Sequence, residues 1–149
     1  PVVAGDLVIG TRGFTANPKH CIAMKLVDGA LQEVWRTERN VPHIPSLIVV
    51  GDRTLLWDDS GIGTWVHSET GEEIWRERIG GNFFSSPVSD GKRILCMDVD
   101  GAAVIIAASD EYAELGRVEL GDTCRNTPAL AHGNLYIRTL GRLMAIRGE

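Results

Sequence analysis

The sequence predicts an all-β fold, a partial β-propeller with three complete four-stranded blades and an incomplete fourth. Three observations carry this. Short apolar runs alternate with turns along all 149 residues, which include 17 glycines and 6 prolines. The pattern returns at a period near 40: Pro1, Pro45, Pro87 and Pro128 head similar segments, Gly61, Gly101 and Gly141 are spaced by 40 and 40, and Trp35 and Trp75 by 40. No window keeps a helical hydrophobic period over about 11 residues. Four strands per unit of about 40–45 residues is the signature of a propeller blade.

The units are expected at about 1–44, 45–86, 87–127 and 128–149. In the first, strands are predicted near Val2–Ala4, Leu7–Thr11, Ile22–Leu26 and Glu33–Thr37. In the third, Val88 lies in the first strand, and Arg93–Met97, Ala102–Ala108 and Ala113–Glu119 follow. Asp100-Gly101 is expected to be a two-residue hairpin turn with positive φ at both positions. Thr70-Gly71 reads as a turn into the strand around Ile74-Trp75 rather than as part of a helix. The fourth unit reaches its third strand at Arg142–Arg147 and has no outermost strand. The expectation is therefore the C-terminal part of a larger propeller. A second copy completing a ring of about eight blades is the other route to closure.

Composition narrows the function classes. The hydrophobic share of 44% and charged share of 23% fit one folded domain and exclude disorder. A net charge of −5 without a basic cluster argues against nucleic acid as partner. Apolar runs such as Ala102–Ala108 have about a third of the length of a transmembrane helix, so no transmembrane segment is expected. Cys21, Cys96 and Cys124 are far apart and form no CxxC, so they read as buried free thiols rather than a metal or redox site.

The segment Gly61-Ile62-Gly63-Thr64-Trp65-Val66-His67-Ser68-Glu69-Thr70-Gly71-Glu72-Glu73-Ile74-Trp75 resembles the PQQ-like, quinoprotein-type propeller repeat. Val27–Trp35 and Ala145–Gly148 echo it, and the resemblance spans essentially the whole chain. It implies that Trp35 and Trp75 dock each blade on its neighbour. A tryptophan suits that place, since it buries a large area while its N–H reaches a carbonyl. The third unit has Gly116 there. The aspartate that ends the family's third strand is replaced by Lys25, His67, Ala108 and Arg147. The family includes PQQ-dependent oxidoreductases and a scaffold lipoprotein of the outer-membrane β-barrel assembly machinery. A periplasmic or secreted location is implied by this resemblance alone.

Candidate chemistry is sparse. Asp58-Asp59-Ser60-Gly61 and Asp98-Val99-Asp100-Gly101 could offer oxygen ligands to calcium, but Asp and Ser before Gly read first as turn formers. The adjacent cysteines typical of many quinoprotein sites are absent from the sequence. No catalytic, cofactor-binding or metal-binding residue is expected, with PQQ and calcium reserved for the oxidoreductase alternative. Linkers between units cross a propeller face, where partners bind. Their residues His43, Asn82, Phe83, Phe84, Arg125 and Asn126 form the candidate interaction surface. The long hairpin loop Thr11–His20 is a further candidate. The leading function is a non-enzymatic scaffold for protein–protein interaction or ligand recognition. The alternative is a fragment of a PQQ-dependent oxidoreductase whose cofactor site lies upstream.

Overall fold

The computed structural model describes residues 1–12 and 18–148, so most of the candidate hairpin loop, Gly13–Asn17, lies outside the described residues. The described residues form strands and no helix, in four antiparallel sheets. The first contains β1 (Val2–Ala4), β2 (Leu7–Arg12), β3 (His20–Val27) and β4 (Ala30–Thr37). The second contains β5 (Ile48–Val50), β6 (Arg53–Trp57), β7 (Ile62–His67) and β8 (Glu73–Arg78). The third contains β9 (Val88–Ser89), β10 (Arg93–Met97), β11 (Ala102–Ala107) and β12 (Glu114–Glu119). The fourth has three strands: β13 (Ala129–Ala131), β14 (Asn134–Arg138) and β15 (Leu143–Arg147). Each sheet is an up-and-down meander, and the innermost strands β1, β5, β9 and β13 adjoin in that order. This is the partial propeller.

Burial follows from where each blade stands. In β2, Leu7 and Ile9 are buried while Val8 between them is exposed, the alternation of a sheet covered on one face. In β6, Thr54, Leu55, Leu56 and Trp57 are all buried, because the second blade is covered on both faces. Between the first and second blades pack Ile9, Ala23, Trp35, Leu56 and Val66. Between the second and third pack Leu55, Trp65, Trp75, Ile94 and Ile106. The third interface is thinner, with Leu95, Met97, Ala103, Cys124 and Ile137 at its centre. All three cysteines are buried free thiols.

Each complete blade carries a β-bulge at the same place, where its third strand meets its outer strand. Trp35 pairs with Ala23, Trp75 with Trp65 and Gly116 with Ile105, and the register slips just beyond. The extra residue puts side chains three apart on one face, which ordinary pleating forbids. Hence Glu33 pairs with Arg36, Glu73 with Arg76 and Glu114 with Arg117. The repeat is therefore Glu, an aliphatic residue, Trp or Gly, then Arg.

Two expectations need correction. The proline marker is out of register in the second unit: Ile48 pairs with Leu55 as Val88 pairs with Leu95, so Leu47, not Pro45, matches Pro87. Asp100-Gly101 is not a turn with two positive φ values; only Gly101 is positive, at 95°. The loop is longer, closed by Asp98 N–H to the carbonyl of Ala102 at 2.9 Å. Gly101 is needed there because a Cβ would stand 2.1 Å from the carbonyl oxygen of Asp122.

Candidate functional site

The linkers gather at one end of the blades, beside the turns that join second to third strands. They are held there by their own backbone. Phe83 N–H donates to the Asp59 carbonyl at 2.9 Å, Val99 N–H to Asn82 at 2.8 Å, Cys124 N–H to Val99 at 3.0 Å, and Leu140 N–H to Thr123 at 2.8 Å. Hydroxyls join one linker to the next: Ser46 N–H donates to Ser86 Oγ and Ser86 N–H to Thr127 Oγ1, both at 3.0 Å. The result is a continuous ladder from blade to blade, a firm platform made from loops.

His43 lies half-buried with Nδ1 3.7 Å from Asp59 Oδ2. Asp59 Oδ1 accepts the Ile44 N–H at 2.7 Å. Asn82 and Asn126 are exposed, and Asn126 reaches the Arg138 carbonyl at 3.4 Å. Phe84 is exposed, with the Arg125 guanidinium over its ring at 5.3 Å from the centroid, an arrangement favoured by the ring quadrupole. Phe83 does not belong to this surface. It is fully buried, edge-on to Trp57 at 5.0 Å. Its bond to Asp59 orients the linker so that the first of two adjacent aromatics points inward, and the second then points out.

The turn carboxylates serve the turns. Asp58 Oδ1 accepts from the Ser60 N–H and hydroxyl and from the Ile62 N–H, each at 2.9 Å. Asp98 Oδ1 accepts the Ala102 N–H at 2.7 Å. Asp122 accepts the Thr139 hydroxyl and the Gly141 N–H, which hold its carboxyl below the ordinary range. Among the described residues, no three His, Cys, Asp or Glu side chains converge on one metal-sized space.

The two tryptophans lie at equivalent places. Trp35 Nε1 donates to the Ser68 carbonyl of the next blade at 2.8 Å, and Trp75 Nε1 to that of Ser109 at 2.9 Å. The Trp35 ring lies against Gly71, where a Cβ would come within 2.6 Å of it. The Thr70-Gly71 turn of one blade is thus the seat for the tryptophan of the blade before. Sequence reasoning did not single out Trp65, which stacks on Trp75 at 6.0 Å and donates to Asp110 at 3.2 Å. It also passed over Arg53, which bridges to Asp110 of the next blade at 2.8 Å. The Glu-x-x-Arg recurrence around each tryptophan position was the available signal for this strand pattern.

The fold and its blade interfaces define a β-propeller segment. No family model and no curated protein matches the chain. Among solved structures it is similar to BamB from Moraxella catarrhalis, with a TM-score of 0.74 at 18% identity over 95% of this chain and 43% of that one. It is also similar to a europium-containing methanol dehydrogenase, with a TM-score of 0.63 at 14% identity over 78% of this chain and 23% of that one. The chain thus spans less than half the length of either structure. At these identities the likeness is one of fold.

Proposed function

We propose that the chain is a non-enzymatic propeller scaffold that recognises a protein partner through its linker end. The observation that carries this reading is the Phe84–Arg125 pair, exposed on a platform whose backbone is tied from blade to blade. Aromatic and arginine side chains on rigid supports are what interfaces enrich. The turn carboxylates beside them are engaged by backbone N–H groups, which supports recognition over metal-assisted chemistry. The apolar faces left open on the first and fourth blades support a place within a larger propeller. The likeness to BamB supports a cell-envelope setting.

The likeness to a methanol dehydrogenase favours a second reading, a fragment of a quinoprotein-type oxidoreductase with its cofactor ligands outside these residues. Calorimetry of the chain with calcium and pyrroloquinoline quinone separates the two. The scaffold reading expects no heat of binding from either. It also expects photo-crosslinkers at Asn82, Phe84 and Arg125 to capture one common partner that a crosslinker at Lys92 misses. Saturable quinone binding with no such capture favours the oxidoreductase.

A further inference from the structure

No further inference is drawn: the strongest candidate, the cleft between the first and second blades at the end opposite the linkers, lined by Asp6, Asp52, His67 and Glu69, is an acidic cluster in which Lys25 already bridges Asp6 and Arg53 bridges Asp52, and nothing in the structure shows what would fill it.

Discussion

Trp35 and Trp75 each join one blade to the carbonyl of the next through an indole N–H, with the ring buried. Truncating either to alanine should cost about 3–5 kcal/mol, the usual range for a buried tryptophan. Urea unfolding of the two variants checks this, and a loss under about 1 kcal/mol would show that the rings do not hold the interfaces. Arg53 and Asp110 join the second and third blades in another way. The Arg53 guanidinium, aided by the Trp65 N–H, holds the Asp110 carboxyl down at about 2. A carboxyl lowered on folding contributes stability above its ordinary value of 3.8, and that stability is lost as pH falls toward 2. Asp90, lowered to about 2 by the Lys92 and Arg93 N–H groups, contributes in the same window. Asp110→Asn should therefore unfold with a shallower pH dependence between about pH 4 and 2, measured by thermal midpoints. Burial pushes Cys21 up to about 12 and Cys96 well above its ordinary value. Neither thiol should react with iodoacetamide at pH 8 until the chain is unfolded, since the thiolate is the nucleophile. Mass spectrometry of the native, treated chain reads this directly.

At the scale of the element, the turn that receives each tryptophan matters as much as the tryptophan. Gly71 has φ of 72° and sits under the Trp35 ring, while Gly51, with φ of 62°, has nothing near its missing Cβ. Gly51→Ala should cost only the left-handed backbone penalty, about 1–2 kcal/mol. Gly71→Ala should cost clearly more, because the ring must also move. Equal losses would mean that the turn does not seat the ring. The period of the strands and the matching places of Trp35, Trp75 and Gly116 were legible in the sequence, because spacing alone reveals them. The acceptors of the indole N–H groups were not, since a backbone carbonyl leaves no mark on the residue type. The inward turn of Phe83 was equally hidden: period-two alternation says that one of two adjacent aromatics is buried, and only the linker's bond to Asp59 decides which. Pro45 misled because a proline recurs near each unit start without holding one register. The Glu-x-x-Arg pattern was there to be read, but three-residue spacing has meaning in a strand only when a bulge is present.

At the scale of the molecule, the middle blades are covered on both faces and the end blades on one. The outward face of the first blade exposes Val3, Val8 and Leu26, with Val3 at 68%. That of the fourth exposes Tyr136 and Leu143, the latter at 76%. Open apolar faces of this kind mark contact surfaces in soluble proteins, and each blade interface within the chain shows what covers such a face when it is satisfied. Both apolar end faces are therefore expected to act as contact surfaces. Sedimentation velocity of the 149-residue chain over a wide concentration range tests this most directly. The account predicts concentration-dependent association, reduced when Val3 and Leu143 are replaced by lysine. A wild-type chain that sediments as a monomer throughout would contradict it.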